Sequence, residues 1–382
     1  MQEIDTSLKV GYAVLLVDIN GDGKKDIVVA DTTRVVWYEN PTWKRRVIIQ
    51  GGTVADNVCI DAFDIDGDGK VDLALGAGWK GLNSKAEGTL QWLKRGKTLD
   101  EPWTVHAIAT EPSIHRIRFA DIDGSGKPAL ISVPLLGKGS SAKNNWMDGS
   151  PVQITAYRIP KDPVRDRWVP EVLDNKLHVI HNFWPMSAPA GKVTEILAAS
   201  YEGVTLLTQE QPGKWLNQRI GEGNQTNPKS NRGASEIKLG RLKDGVRKYI
   251  ATIEPWHGHQ VVVYTPWSGP NKRFWDRHVL DERLKWGHGV WCADLDGDGS
   301  DELIIGIRDD LSQKPDERRG VRIYKALDGT GKRWARHIID AGGVAVEDLA
   351  AADLDGDGRI DIVAVGRQTG NVRIYWNQGI KK

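Results

Sequence analysis

"ADLDGDGRIDIVAVG", Ala352–Gly366, is written almost unchanged as "ADLDGDGSDELIIGI" from Ala293, "FDIDGDGKVDLALGA" from Phe63 and "VDINGDGKKDIVVAD" from Val17. Each copy is an apolar strand, a short loop with oxygen side chains at positions 1, 3, 5 and 9, and a second apolar strand. The loop oxygens are Asp18, Asn20, Asp22 and Asp26; Asp64, Asp66, Asp68 and Asp72; Asp294, Asp296, Asp298 and Glu302; and Asp353, Asp355, Asp357 and Asp361. Alternate carboxylates converge on one point when glycines let the backbone turn tightly, and hard oxygen donors select Ca²⁺. The loop is shorter than an EF-hand loop, and strands flank it where helices would stand. A weaker copy, "ADIDGSGKPALISV", keeps Asp121, Asp123 and Ser125 but places Ala129 at position 9, so a weak or empty site is expected there. Structural calcium that pins a strand-to-strand loop is the expected role; catalysis at these aspartates is not.

Between copies the chain supplies a third strand such as "VVWYEN" or "VRIYKA", then a Trp, then a fourth strand. Those Trp are 43, 103, 168, 215, 275 and 334, and packing explains them. Four short strands at a period of roughly 45–60 residues are the pattern of a β-propeller blade. Two further units, around "TEILAASYEGVTLLTQ" and "RKYIATIEPWHGHQVVVYTP", lack the acidic loop but keep the strands, which makes seven. The last unit stops after "NVRIYWNQ", and "QEIDTSL" at the N-terminus reads as its missing fourth strand. The expected fold is all-β: residues 1–382 form a single seven-bladed β-propeller of four-stranded blades. The N-terminal strand completes the last blade and removes an open sheet edge.

The bulk properties narrow the function. A net charge of +1 with mixed signs gives no electrostatic case for nucleic acid or an anionic membrane. No apolar run approaches the ~18 residues of a membrane span. "MQEIDTSL" is polar and is no signal peptide, and a secreted or periplasmic protein with its leader outside this sequence is expected. Cys59 and Cys292 fall on different blades and are expected to be buried free thiols. "GKGSSAKNN", from Gly137, reads as a flexible loop too irregular to bind phosphate.

Function should sit where equivalent positions depart from the repeat. Six residues before motif position 1, at the inner end of strand one, stand Tyr12, Val58, His115, His288 and Glu347. Aligning "EILAAS" with "DIVVAD" makes Ser187 position 1 of blade four and brings His181 into the same register. His257 and His259 fall in the blade-five loop "EPWHGHQ", on the same face. A lone His is more often a packed or surface residue, but several in one register point to a functional cluster in the central funnel. His115, His181, His288 and Glu347 form a candidate ligand set for a divalent transition metal such as Zn²⁺ with an open position. His181, His257, His259 and Tyr12 are the candidates for proton transfer. Lys80, Arg116, Asn182 and Arg232 are candidate polar contacts to substrate. Among 16 Trp, Trp79, Trp184, Trp256 and Trp286 lie in the same loops, where flat aromatic faces would suit a pyranose.

The acidic repeats resemble the FG-GAP/VCBS repeats of integrin-type seven-bladed propellers, over essentially the whole chain. "IHNFWPMSA", "NRGASEIKLG", "IEPWHGHQVVVYTP" and "WGHGVWCADLDGDG" are similar to the propeller domain of the aldos-2-ulose dehydratase (1,5-anhydrofructose dehydratase) family. That resemblance implies a metal-assisted dehydration site in the propeller, with cupin-type domains following it in the family. Propeller polysaccharide lyases and rhamnosidases with a funnel histidine are similar at the level of fold.

The expected function is a carbohydrate-active lyase acting on a small keto-sugar or its glycoside. A carbonyl acidifies the neighbouring C–H, a base takes the proton, and the β-oxygen leaves. Two alternatives stand beside it: a metal-free polysaccharide lyase or glycosidase with a His base, and a non-catalytic glycan-binding or adhesion propeller.

Overall fold

The computed structural model describes residues 1–85, 88–186, 188–189, 191–242, 247–266, 274–308, 314 and 317–379. Ser187, position 1 of the blade-four alignment, lies outside the described residues.

The chain opens with β1 (Gln2–Asp5). Blade one is β2 (Ala13–Val17), β3 (Asp26–Asp31), β4 (Arg34–Glu39) and β5 (Lys44–Gln50). Blade two is β6 (Cys59–Phe63), β7 (Asp72–Ala77), β8 (Thr89–Lys94) and β9 (Thr104–Thr110). Blade three is β10 (Ile114–Ala120), β11 (Ala129–Pro134), β12 (Val152–Arg158) and β13 (Val169–Leu177). Blade four is β14 (Asn182–Pro185), β15 (Ile196–Ser200), β16 (Gly203–Gln211) and β17 (Lys214–Gly221). Blade five is β18 (Ile237–Arg241), β19 (Lys248–Glu254), β20 (Gln260–Thr265) and β21 (Asp276–Asp281). Blade six is β22 (Gly287–Ala293), β23 (Glu302–Ile307), β24 (Gly320–Ala326) and β25 (Trp334–Ile338). Blade seven is β26 (Val346–Ala352), β27 (Asp361–Gly366), β28 (Val372–Tyr375) and, as its fourth strand, β1. The fold is an all-β seven-bladed propeller of four-stranded blades, closed as expected by the N-terminal strand.

The burial pattern follows the sequence pattern. Second strands such as "DIVVAD", "DLALGA" and "DIVAVG" are buried at every residue, because apolar runs without alternation are covered on both faces. Fourth strands such as "KRRVIIQ" and "TVHAIAT" are largely exposed or half-buried. Close approach between blades takes glycine. A Cβ on Gly306 would meet Val346 of the next blade at 2.3 Å, and one on Gly76 would meet Ile114 at 2.7 Å. The interblade Trp pack as expected: Trp334 lies edge-on to Tyr249 of blade five with centroids 5.2 Å apart, and Trp215 packs on the core of blades three and four.

By internal contacts the chain divides into two compact units, residues 1–16, 201–204 and 219–382, and residues 17–200 and 205–218. The first holds the closure. β1 pairs antiparallel with β28, Arg373 Nε donates to Glu3 Oε2 at 2.7 Å, and Asn371 Nδ2 donates to the same oxygen at 2.7 Å.

Two expectations change. "GKGSSAKNN" is a built loop: Asp148 accepts from Ser141 N (2.6 Å), Ser141 Oγ (2.7 Å) and Asn144 Nδ2 (2.7 Å), around one turn of 3-10 helix at Ala142–Asn144. Short polar side chains bond the local backbone there, which spacing alone does not disclose. Both cysteines are free; Cys59 is buried and Cys292 half-buried, and burial pushes both thiols up to about 12.

Candidate functional site

Strand one of several blades begins with the same irregularity. In β10, β22 and β26 the register against strand two shifts at the second residue, a β-bulge at His115, His288 and Glu347. A bulge re-aims the extra side chain out of the ladder. Tyr12, Val58 and His181 stand immediately before β2, β6 and β14. All six residues are buried, so the register read from spacing is a structural one.

In the unit comprising residues 17–200 and 205–218, His115 and His181 lie with ring centroids 4.6 Å apart, and Trp79 lies 5.1 Å from His115. His115 Nδ1 is 2.9 Å from the backbone oxygen of His181. A carbonyl only accepts, so this contact puts the proton on Nδ1 and makes Nε2 the acceptor nitrogen. Arg116 is buried and its Nη1 donates to His115 O (3.2 Å). Asn182 is buried, and its Oδ1 accepts from Arg118 Nη2 (3.3 Å). Lys80 is exposed. Trp184 is no loop residue: it lies within β14, with the Arg118 guanidinium 5.0 Å over its ring, so strand packing accounts for it.

The other unit repeats the device. His288 Nδ1 is 2.5 Å from the backbone oxygen of Glu347, which again leaves Nε2 as the acceptor. His257 lies 5.1 Å from His288, 4.7 Å from Trp256 and 5.9 Å from Trp286, all between ring centroids. Both His257 (φ +50°) and Trp286 (φ +58°) hold the left-handed backbone conformation, which costs a bulky residue energy that the surrounding structure must offset. The hairpin carrying His257 grows from Glu254, fully buried and accepting from Arg277 (2.6 and 2.9 Å), Tyr264 Oη (2.7 Å) and Thr252 Oγ1 (2.9 Å). Gly287 N donates to Gly258 O (3.0 Å), tying that hairpin to the start of blade six. His259 separates from His257: it is exposed, and its carbonyl accepts from Leu284 N (3.0 Å). Arg232 is half-buried, 5.6 Å over the Tyr201 ring, which in turn lies 6.1 Å from Trp256.

Glu347 is clamped. Its Oε2 accepts from Arg308 Nη1 (3.0 Å) and its Oε1 from Arg367 Nη1 (2.7 Å). Arg367 also lies 5.4 Å over the Tyr12 ring, and Arg308 lies 5.8 Å from Trp286, which is 48% exposed. Sequence reasoning missed both arginines. Each is the first residue after strand two of its blade, so a second register, at the same end of the sheet as the start of strand one, carried the signal. It also missed Glu236, which stands immediately before β18 in the blade without an acidic loop.

Among the described residues, three of the acidic loops each gather three carboxylates. Asp64, Asp66 and Asp72, then Asp294, Asp296 and Glu302, then Asp353, Asp355 and Asp357 bring carboxylate oxygens within 4.8 Å of one another. Position 1 accepts from loop backbone, as Asp18 does from Gly21 N (2.7 Å) and Gly23 N (2.8 Å). Position 9 is a staple: Asp26 accepts from Ile19 N (2.9 Å) in the loop and from Asn40 N (2.8 Å) after strand three. In blade three the Ser125 hydroxyl, and after it Arg158, hold the Asp123 carboxyl down at about 2.

Comparison with known proteins agrees with this architecture. Residues 87–266 match the sequence model of the aldos-2-ulose dehydratase β-propeller domain, and residues 18–75 and 294–364 match that of an FG-GAP-like repeat. The aldos-2-ulose dehydratase of Phanerodontia chrysosporium is 27% identical over 297 residues, which are 73% of this chain and 32% of the enzyme. The chain thus matches about a third of that enzyme's length. Among solved structures, a lectin of Agrocybe aegerita that recognises non-reducing terminal N-acetylglucosamine superposes with a TM-score of 0.55 at 13% identity, over 87% of this chain and 81% of the lectin. The extracellular domain of a hybrid two-component system from B. thetaiotaomicron gives 0.53 at 12% identity, over 98% of this chain and 39% of that one. These two likenesses concern the fold alone. The chain is a seven-bladed propeller whose residues 18–75 and 294–364 resemble FG-GAP repeats and whose residues 87–266 resemble the propeller of a sugar dehydratase.

Proposed function

We propose that this propeller is a carbon–oxygen lyase that eliminates water, or a glycoside, from a small keto-sugar of the aldos-2-ulose type. The observation that carries this reading is the repeated contact of His115 Nδ1 and His288 Nδ1 with a backbone carbonyl of the next blade. It fixes the tautomer with Nε2 as the acceptor nitrogen, the form needed by a base and by a metal ligand alike. The match to a sugar dehydratase propeller supports the substrate class.

In this reading an imidazole Nε2 takes the proton α to the sugar carbonyl, and the β-oxygen leaves with a proton. His257, in ring contact with His288, relays the proton. The half-exposed Trp286 stacks on the sugar ring with Arg308 beside it. Glu347, held by two guanidiniums, positions His288 rather than binding a metal itself. His115 with His181, and His288 with His257, are the imidazole pairs fitted to hold a divalent transition metal such as Zn²⁺; when bound, it would polarise the carbonyl. In the acidic loops Ca²⁺ has a structural role.

The test is His115→Ala, His181→Ala and His288→Ala, assayed by the ultraviolet absorbance of the unsaturated keto-sugar, with metal content measured alongside. Each single variant should lose most turnover while melting like the parent protein. A His257→Ala/His288→Ala double variant should be little worse than either single one, as for groups that act together. Full turnover in the single variants would overturn the lyase reading. Sugar binding that Trp286→Ala abolishes, with no turnover in the parent protein, would establish a glycan-binding propeller instead.

A further inference from the structure

Elimination of water needs an acid as well as a base, because hydroxide is a poor leaving group. The proton-transfer groups of the proposed function are all imidazoles. Seven blades offer seven equivalent places at the inner end of strand one, and six were legible in the sequence. The seventh belongs to blade five, where no acidic loop marks the register.

The hydrogen bonds supply that register. In β10 the paired residues are Ile114↔Pro134 and Arg116↔Val133, with His115 as the extra residue; in β22, Gly287 and Gly289 pair around His288 in the same way. In blade five, Ser235 N donates to Ile253 O (2.9 Å), while Ile237 pairs with Thr252. One residue on β19 therefore answers two steps on the blade-five strand, and the extra residue is Glu236. Ser235 Oγ donates to the same Ile253 oxygen (3.1 Å), which locks the bulge from its N-terminal side. Glu236 is 3% exposed, as deeply placed as His288 at 4%. Counting back six residues from Leu242, the first after β18, reaches the same position.

Two other occupants of this register do not fill the role. Val58 has no proton to give, and Glu347 uses both oxygens to accept from Arg308 and Arg367. We propose that Glu236 is the general acid of the elimination, delivering its carboxyl proton to the departing β-hydroxyl of the keto-sugar. The step balances without an oxidant or reductant. The α-proton passes to an imidazole Nε2 and its C–H pair becomes the new C=C. The C–O pair leaves with the oxygen, which takes the Glu236 proton and departs as water. Proton return from imidazole to carboxylate through solvent completes the cycle.

This inference rests on the lyase reading, and a change of leaving group separates the two. The full-length protein and its Glu236→Gln and Glu236→Asp variants are assayed on a 2-keto-sugar and on its analogue with fluoride in place of the β-hydroxyl. Fluoride leaves without protonation, so the ratio of the two rates, taken on one preparation, is independent of how much variant is folded. Glu236→Gln should lose about 10²–10⁴-fold on the hydroxyl substrate and stay within a few-fold of the parent on the fluoride. Glu236→Asp should recover part of the loss. Equal losses on both substrates would overturn the acid role while leaving the lyase reading intact. A parent protein inert on both substrates would overturn the lyase reading and the acid role with it.

Discussion

Glu111 follows β9 and accepts a hydrogen bond from Tyr157 Oη at 3.2 Å; burial pushes its carboxyl up to about 7. Its pKa in the folded chain thus lies above the ordinary value, so the native state holds the proton more tightly than the unfolded one. Stability from this group is fully present below about pH 4.5 and is lost as pH rises through 7, by roughly 3 kcal/mol at most. Glu111→Gln should match the parent protein at pH 4.5 and exceed its stability at pH 8 by a couple of kcal/mol in urea titrations. A parallel pH dependence in both proteins would show that Glu111 is charged when folded. At this scale the histidine register was legible because it is a spacing. What each imidazole does with its nitrogens was not, because the carbonyl partners lie 66 and 59 residues away along the chain.

Within the strand-one to strand-two element, the carboxylates divide the work. Asp72 accepts from Ile65 N (3.2 Å) and Arg95 N (2.9 Å), so it supports the loop with or without an ion. Asp66 faces Lys94, a partly exposed pair of the sort that contributes little on its own. With a chelator present, Asp66→Ala should melt like the parent protein. Asp72→Ala should lose roughly 2 kcal/mol or more by orphaning backbone donors. With calcium restored, the parent should gain stability and both variants should gain less, as thermal melts at matched free calcium would record. If Asp66→Ala responds to calcium like the parent protein, the blade-two loop holds no calcium. In blade three Arg158 is paired with Asp123, and Ala129 stands at position 9.

For the molecule as a whole, closure of blade seven rests on eight residues at one end of the chain. Besides the β1–β28 ladder, Arg373 joins Glu3, and Trp376 Nε1 donates to Gln2 Oε1 at 3.1 Å. Leu8 N further donates to Gly370 O (3.0 Å). Deleting Met1–Leu8 leaves β28 as an open edge, so the truncated protein should melt lower and aggregate with time, read by calorimetry and light scattering. A truncated chain that stays monomeric with an unchanged melting temperature would show that the seventh blade is stable with three strands.

The amino-acid sequence alone determined the blade count, the strand order, the closure and the inner-strand register of six residues. Each of these is local and periodic: an apolar run, a loop with glycines at fixed places, a repeat length. It also carried unread signals, in Arg308 and Arg367 after two second strands and in Glu236 six residues before Leu242. Only the tertiary structure decided that Trp184 packs beneath Arg118, that His257 and His259 part company, and that Glu347 is clamped by two guanidiniums. The bulge that aligns Glu236 with His115 and His288 became visible in the same way. These are relations between strands or between blades, set by sheet register and packing, and no period along one chain encodes which donor meets which acceptor across them.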